Sequence, residues 1–203
     1  MHPNLCTICE SMFTKVMKQK QVPIPITIMF ADIRGYTDLS QHIEATELNK
    51  VLHSFYDRCS AAIWEKDGII NKFIGDAVLA IFNFPLTRND HVANAVQAAL
   101  QLQHNCQSLK EEIGLKGNQS LGVGNGIHTG ECFMGEVGTA YKDFTAIGPV
   151  VNLASRLQGA AGAGEVLVTA EVFEHVKDQF PNAQSRKLTL KGVEHLVNGF
   201  VLS

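Results

Sequence analysis

The chain has 203 residues, a formal net charge of −3, 45% hydrophobic residues and 18% charged residues. This length suits one domain with a buried core, and the balance of residue types is that of a globular protein rather than a disordered one. The small negative charge argues against nucleic acid or an anionic membrane as a partner. An anionic substrate would therefore need local cations or metal ions to hold it.

Residues 1–23 are predicted to form a leader, followed by a single domain over residues 24–203. The leader lacks the pattern of a signal peptide, and no apolar run in the chain reaches the roughly 18–20 residues of a membrane-spanning helix. We therefore expect a cytoplasmic chain with no membrane segment. Cys6 and Cys9 form one C-x-x-C pair, for which two free thiols, a redox pair and half of an intermolecular zinc site all stay open.

The first predicted elements are a buried strand and an amphipathic helix. Residues 26–31 are almost wholly apolar, which is typical of a central strand, and this strand is expected to end at Asp32. Thr46 is the expected N-cap of the helix that follows. Asp67-Gly68 is expected to end that helix.

Two strand pairs are predicted next. Gly75-Asp76 separates two apolar runs, residues 69–74 and 77–82, as in a two-residue hairpin. A second pair, residues 122–128 and 132–137, is expected to turn at Gly130.

The remaining elements complete a βαββαβ order. A second helix is expected to begin at Asn89 or Asp90 and a third at Pro149, a residue favoured in the first turn. This order resembles a ferredoxin-like α+β sandwich with C-terminal αβ additions, in which helices pack on one face of a mainly antiparallel sheet. Many activities occur on this fold, so it does not decide the function.

Two aspartates are candidates for a metal site. Asp32 lies at the end of the buried strand and Asp76 at the tip of the hairpin, and these strands can be neighbours in a sandwich of this order. Two close carboxylates repel each other unless a cation offsets their charge. Oxygen ligands without a His or Cys pattern suit Mg²⁺ or Mn²⁺. Each aspartate taken alone is more simply explained as a turn residue.

The helix that starts at Pro149 carries a second candidate pair. Asn152 and Arg156 are four residues apart and share one side of the helix, beside a predicted buried stripe. An exposed polar stripe is the ordinary explanation, but Arg156 can also present its guanidinium to a phosphate. Thr145 lies on the strand before this helix, with its hydroxyl available.

Four segments together resemble the catalytic domain of the class III adenylate and guanylate cyclases. They are FADIRGYT, NKFIGDAVLAIF, GIHTGECFMGEVG and DFTAIGPVVNLASRL, at residues 30–37, 71–82, 126–138 and 143–157. Their order and spacing match the family, and the resemblance runs from about residue 26 to the C-terminus. It implies an adenylate cyclase that converts ATP to 3′,5′-cyclic AMP and pyrophosphate.

The resemblance also implies a role for individual residues near the first motif. Asp32 and Asp76 are similar to the aspartates that bind two Mg²⁺ or Mn²⁺ ions per active site, with the backbone carbonyl of Ile33 as a further ligand. The residues that resemble the triphosphate-binding loop are Gly35, Tyr36 and Thr37.

The later motifs supply the remaining implied roles. Lys72 and Thr145 resemble the pair that contacts the purine, and Asn152 and Arg156 resemble the residues that orient the ribose and stabilise the transition state. The family also uses a C-terminal lysine that binds phosphate, and Lys191 is near the right turn without being securely aligned.

The family builds its site from two subunits, so the resemblance implies a homodimer with two shared active sites. Lys72 favours ATP, since guanylate cyclases of this family typically carry an acidic residue at that position. The alternatives are a guanylate cyclase and a catalytically silent domain that binds nucleotide and regulates a partner. A diguanylate cyclase is disfavoured because no GG(D/E)EF-like turn occurs.

Overall fold

The computed structural model describes residues 23–85, 87–109, 122–140 and 142–202. Its strands are β1 Pro23–Arg34, β2 Ile69–Ile74, β3 Ala77–Phe82, β4 Gly122–Val137, β5 Asp143–Ile147, β6 Val166–Thr169, β7 Gln184–Leu188 and β8 Val197–Leu202. Its helices are α1 Tyr36–Ser40, α2 Ala45–Glu65, α3 His91–Cys106, α4 Pro149–Ala160 and α5 Ala170–Val176, followed by a 3-10 helix at Lys177–Gln179. The C-x-x-C pair, Cys6 and Cys9, lies outside the described residues.

These strands form one sheet in the order β2-β3-β1-β4-β6-β8-β7, with β5 paired to β4 off this path. The pairings are antiparallel except for that of β4 with β6. The first four strands and their two long helices form the predicted ferredoxin-like βαββαβ core. The later helices and strands are the predicted C-terminal additions, so the α+β fold class is confirmed.

Strand β1 is apolar on both faces because helices cover the sheet on both sides. Met29 and Ala31 belong to the core that includes α2 and α3. Ile28 and Phe30 belong to a second core that includes Ala154 of α4. The expectation that the helices lie on one face is therefore wrong. A strand that is covered on both faces shows no alternation of apolar and polar residues, and the almost unbroken apolar run of residues 26–31 matches this arrangement.

Strand β4 is continuous over 16 residues, whereas the sequence predicted two strands that turn at Gly130. Gly130 instead pairs with Ile26 within the long ladder between β1 and β4. A Cβ atom at Gly130 would lie 3.4 Å from the Val150 side chain, so this glycine sits directly beneath α4. The hairpin partner of the second half of β4 is β5, in which Thr145 pairs with Gly135.

The helix ends agree with the sequence in most places. Helix α4 begins at Pro149 as predicted, and Asp90 is the N-cap of α3. Helix α2 is capped by Glu44 rather than Thr46, and no side chain hydrogen bonds to its first turn. Within the described ranges, no helix combines the length and the apolar character needed to cross a membrane.

Candidate active site

The two candidate metal-binding aspartates lie side by side. Asp32 of β1 pairs with Ala77, the first residue of β3, so the turn that carries Asp76 falls next to it. The Ile33 N–H donates to the backbone carbonyl of Asp76 at 3.3 Å, which fixes the turn against β1. Asp76 lies close enough to Asp32 for its charge to raise the pKa of the Asp32 carboxyl. The sheet therefore produces the proximity that the sequence predicted.

The surroundings of Asp32 make its ionisation costly. Burial, and then the charge and hydrogen bond of Asp76, raise the pKa of Asp32 to about 6. Two groups act in the opposite direction: an Arg34 Nη1 lies 3.4 Å from the Asp32 Oδ2, and the Gln158 Nε2 donates to that oxygen at 2.9 Å. These donors offset only part of the cost, so a bound cation would further favour the state in which both carboxylates are charged.

The donor set of this pair fits a hard divalent ion. No group of three or more His, Cys, Asp or Glu side chains suited to a metal occurs in the part of the chain that the structure describes. An ion at Asp32 and Asp76 would therefore complete its shell with backbone, phosphate or water oxygens. Carboxylates combined with such oxygens are the usual ligands of Mg²⁺.

The predicted triphosphate loop lies against the acidic pair. Gly35 has φ +82° and precedes the short helix α1, so a left-handed backbone is required where β1 ends. Tyr36 follows at the first position of α1, and burial together with the negative charge of Asp76 raises its pKa. The Tyr56 hydroxyl donates to the Gly75 carbonyl, and this contact supports the hairpin tip that carries Asp76.

Lys72 and Thr145, the predicted purine-contacting residues, come together between β2 and β5. The Lys72 ammonium forms an ion pair with Asp143 of β5. The Thr145 hydroxyl donates to the Asn71 Oδ1 at 2.9 Å, and the Asn71 Nδ2 donates to the Phe144 carbonyl at 2.9 Å. Neither Asn71 nor Asp143 was a predicted site residue. Asn71 directly precedes Lys72, and Asp143 lies two residues before Thr145, so the motifs that identified those two residues could have indicated both.

Asn152 and Arg156 line an open cavity of about 530 Å³. Both side chains are exposed on α4, while the opposite stripe of that helix is buried, as predicted. Lys191, which the sequence could not place securely, lines the same cavity. An amide, a guanidinium and an ammonium thus line one concave surface together with the carboxylate of Glu194, and the two cationic groups can contact an anionic ligand.

Within one chain, the acidic pair and this cavity are separate. Neither Asp32 nor Asp76 is among the residues that line the cavity. Asp32 instead contacts Gln158 of α4. Gln158 is two residues after Arg156, and two residues correspond to about 200° around a helix, so these side chains point in nearly opposite directions. The predicted site residues therefore form separate groups in this chain: the acidic pair with the loop after β1, Lys72 with Thr145, and Asn152 with Arg156.

Comparison with known proteins identifies the family. The family model described as the adenylate and guanylate cyclase catalytic domain matches residues 18–203. This chain belongs to the adenylate and guanylate cyclase family. An adenylate cyclase of Anabaena cylindrica is 35% identical over 176 residues, which cover 83% of this chain. A receptor-type guanylate cyclase of Caenorhabditis elegans is 27% identical over 82% of this chain.

Solved cyclase structures share the fold. The adenylyl cyclase CyaB from P. aeruginosa matches with a TM-score of 0.82 and 31% identity, over 90% of this chain and 95% of that chain. The guanylyl cyclase Cya2 matches with a TM-score of 0.83 and 27% identity, over 90% and 93% of the two chains. The cyclase fold is therefore shown, while relatives of both nucleotide specificities are similar to this chain.

The chain spans about a third of the length of the Anabaena cylindrica relative, since the match covers 34% of that protein. For an adenylate cyclase of Rhizobium meliloti, 33% identical over 135 residues, the match covers 20% of the relative. The shared region in each case is the cyclase catalytic domain, and the comparison concerns that domain alone.

Proposed function

We propose that this chain is an adenylate cyclase domain that converts ATP to 3′,5′-cyclic AMP and pyrophosphate, at sites shared between two copies of the chain. The observation that carries the proposal is the pair Lys72 and Thr145. Strands β2 and β5 bring these residues to one place, where Asp143 holds the Lys72 ammonium. A donor-only ammonium at the purine position favours adenine.

The preference for adenine follows from hydrogen-bonding chemistry. Adenine has an acceptor at N1 and a donor at its exocyclic amine, whereas guanine has a donor at N1 and an acceptor at its exocyclic oxygen. Lys72 can only donate, so it suits adenine N1 and opposes the N1–H of guanine. A polar mismatch of this kind supports roughly a hundredfold preference for ATP over GTP.

The reaction requires an in-line displacement at the α-phosphorus. The ribose 3′-oxygen forms a bond to the α-phosphorus, the bond from that phosphorus to the β-phosphate oxygen breaks, and the 3′-hydroxyl proton is released. Asp32 and Asp76, with the Ile33 carbonyl, would hold Mg²⁺ or Mn²⁺, which lowers the pKa of the 3′-hydroxyl and stabilises the leaving pyrophosphate. Arg156 would neutralise charge that develops on the α-phosphate, and Asn152 would orient the ribose.

Lys191 and the loop after β1 would hold the rest of the triphosphate. Lys191 lines the cavity of Asn152 and Arg156, which supports a phosphate contact for this lysine. Gly35 ends β1 in a left-handed conformation, and Tyr36 and Thr37 follow at the start of α1 beside the acidic pair. Backbone N–H groups in such a turn can donate to phosphate oxygens.

A homodimer is supported by the separation of the acidic pair from the cavity of Arg156 and by an exposed apolar surface. Asp32 and Asp76 do not line the cavity of Arg156 in one chain, which supports a site that a second copy completes. Phe133, Val137 and Ile147 are 43%, 46% and 44% exposed. Phe133 pairs with Ile147 in the β4–β5 hairpin. Val137, four residues after Phe133, lies on the same face of the hairpin, and Thr145 lies on that face as well. Exposed apolar side chains beside a site are typical of an interface.

Product analysis tests the proposal directly. The purified chain is incubated with ATP or GTP, in the presence of Mg²⁺ or Mn²⁺, and the cyclic products are separated by chromatography and identified by mass spectrometry. We expect 3′,5′-cyclic AMP and pyrophosphate in equal amounts, with little cyclic GMP. Equal kcat/KM values for ATP and GTP would contradict the assignment to adenylate cyclase, and the Asp76→Ala variant controls for contaminating activity.

A silent, nucleotide-binding regulatory domain is the second candidate, and the same measurement separates it from the first. It predicts that ATP binds, as measured by calorimetry, without forming either cyclic product. The joint presence of Asp32, Asp76, Lys72, Asn152 and Arg156 favours the active enzyme, because a silent domain has no need to hold the complete set.

A further inference from the structure

Strand β2 carries an irregularity at Asn71. Ile70 pairs with Ala80 and Lys72 pairs with Leu79, so Asn71 is an extra residue that has no partner on β3. A bulge of this type breaks the alternation of side chains between the two faces of a sheet. Asn71 and Lys72, although adjacent in sequence, both contact β5 as a result.

The hydrogen bonds of Asn71 fix the direction of its amide. The Phe144 carbonyl lies 2.9 Å from one end of this amide, and a carbonyl oxygen can only accept. The amide nitrogen must therefore face Phe144, which leaves the Asn71 Oδ1 facing Thr145. Since the Oδ1 can also only accept, the hydrogen of the Thr145 hydroxyl must point to Asn71 at 2.9 Å.

These hydrogen bonds decide whether the Thr145 hydroxyl can donate a hydrogen bond to a ligand or only accept one. A free hydroxyl rotates and can either donate or accept. The Thr145 hydroxyl has committed its hydrogen to Asn71, so only its lone pairs remain for a purine. A lone pair suits the 6-amino group of adenine, whereas the 6-oxo group of guanine or hypoxanthine is itself an acceptor and would face it without a hydrogen.

We propose that Asn71 is a specificity-determining positioning residue, which restricts the Thr145 hydroxyl to accepting and thereby selects 6-aminopurine nucleotides over 6-oxopurine nucleotides. This inference rests on the proposed function, in which Lys72 and Thr145 contact the base. Lys72 discriminates at N1, and Asn71 acts through Thr145 at position 6. The two discriminations are therefore separable by mutation.

The test compares ATP with inosine triphosphate, which carries a 6-oxo group and lacks the 2-amino group of guanine. Asn71→Leu removes the acceptor and leaves a side chain of similar size, so the Thr145 hydroxyl becomes free to donate. We expect the ratio of kcat/KM for ATP to that for inosine triphosphate to fall by roughly tenfold, the usual effect of one hydrogen bond to a buried polar group. The N1 mismatch with Lys72 is the same in both proteins and cancels.

Two further variants distinguish positioning from a structural role. Asn71→Asp retains an acceptor for the Thr145 hydrogen, so it should preserve the ratio even if total activity falls. Thr145→Val removes the hydroxyl, and adding Asn71→Leu to it should change the ratio no further. If Asn71 only links β2 to β5, the activity of Asn71→Leu should fall equally with ATP and with inosine triphosphate, and the ratio of kcat/KM should not change. That result overturns the inference.

The outcome also separates this inference from the proposed function. Absence of cyclic AMP from the unmodified chain contradicts the proposed function alone. The selectivity for ATP over inosine triphosphate can then be measured without turnover, as the ratio of their calorimetric dissociation constants. An Asn71→Leu protein that melts normally and keeps the selectivity of the unmodified chain in both measures overturns the role of Asn71. A lowered selectivity that also appears to the same extent on the Thr145→Val background overturns it as well.

Discussion

Asp32 of β1 lies beside Asp76, which is carried by the turn between β2 and β3, and burial followed by the charge of Asp76 raises the pKa of Asp32. The register between β1 and β3, in which Asp32 pairs with Ala77, puts the Gly75-Asp76 turn beside Asp32. Helix α4 completes the surroundings through Gln158, whose Nε2 donates to the Asp32 Oδ2. Two acids held this closely are costly to ionise together, and the pH dependence of stability described below follows from that cost.

Loss of either acid should abolish turnover. Asp32→Ala and Asp76→Ala each remove a proposed ligand of the catalytic ions, so kcat should fall by at least about a thousandfold while the fold is retained. Product formation measured with saturating Mg²⁺ or Mn²⁺ tests this, with circular dichroism as the check on folding. Asp57→Ala, at an exposed position of α2, is the matched control and should keep full activity. Activity near that of the unmodified chain in either test variant contradicts the assignment.

Stability without metal should depend on pH through Asp32. Its pKa is about 6 in the folded protein against 3.8 ordinarily, so between these values the folded state holds a proton that the unfolded chain has released. The free energy of unfolding therefore falls as the pH rises through this window, and the loss persists above it. Asp32→Asn cannot ionise and should escape this loss.

Thermal melts in the presence of a chelator measure the effect. Asp32→Asn should melt at a higher temperature than the unmodified chain at about pH 8. The gain should be smaller at about pH 5, because the folded chain still holds the Asp32 proton there and only part of the loss in stability has occurred. Asp57→Asn serves as the control for a change of net charge. A gain of equal size at both pH values would show that the acidic pair is not its source.

The shared site predicts complementation between two inactive variants. Asp32→Ala and Arg156→Ala should each be inactive alone, because every site in either homodimer lacks one group. In a heterodimer one site carries both substitutions and the other carries neither. Equal mixing makes about half of the dimers heterodimers, so it should restore roughly a quarter of the activity of the unmodified chain. Activity of the mixture after co-expression or refolding tests this. A mixture that stays inactive while native mass spectrometry shows heterodimers would rule out the shared site.

Base selectivity should depend on the charge at position 72. Lys72→Glu replaces a donor with an acceptor and places it against Asp143, so kcat/KM for ATP should fall and the preference over GTP should decrease, by about a hundredfold if the full discrimination is lost. Steady-state kinetics with both nucleotides measure this. Lys187→Glu, at an exposed position of β7, makes the same charge change away from the site and should leave the ratio unaltered. An unchanged ratio in Lys72→Glu removes this lysine from base recognition.

Sequence alone was sufficient for the elements that depend on local chemistry. The Gly75-Asp76 turn and the start of α4 at Pro149 were predicted because turns and helix ends are set by a few neighbouring residues. Asp32 became a candidate from its place at the end of a buried strand, whereas Lys72 became one only through the resemblance of four motifs in a fixed order. The continuous strand through Gly130 was missed because only its pairing with β1 overrides the local turn signal.

Tertiary structure alone decided which side chains meet. Lys72 and Asp143 are 71 positions apart and Asp32 and Gln158 are 126 apart, so their contacts depend on the order and register of strands and on the face that α4 covers. The bulge at Asn71 is a shift in the pairing register of β2 with β3, and the sequence of one strand does not predict it. Local residue types determined which chemical groups this chain possesses, whereas the register of the sheet determined that Asn71 holds the hydrogen of the Thr145 hydroxyl, because a hydrogen bond depends on the relative position of both partners.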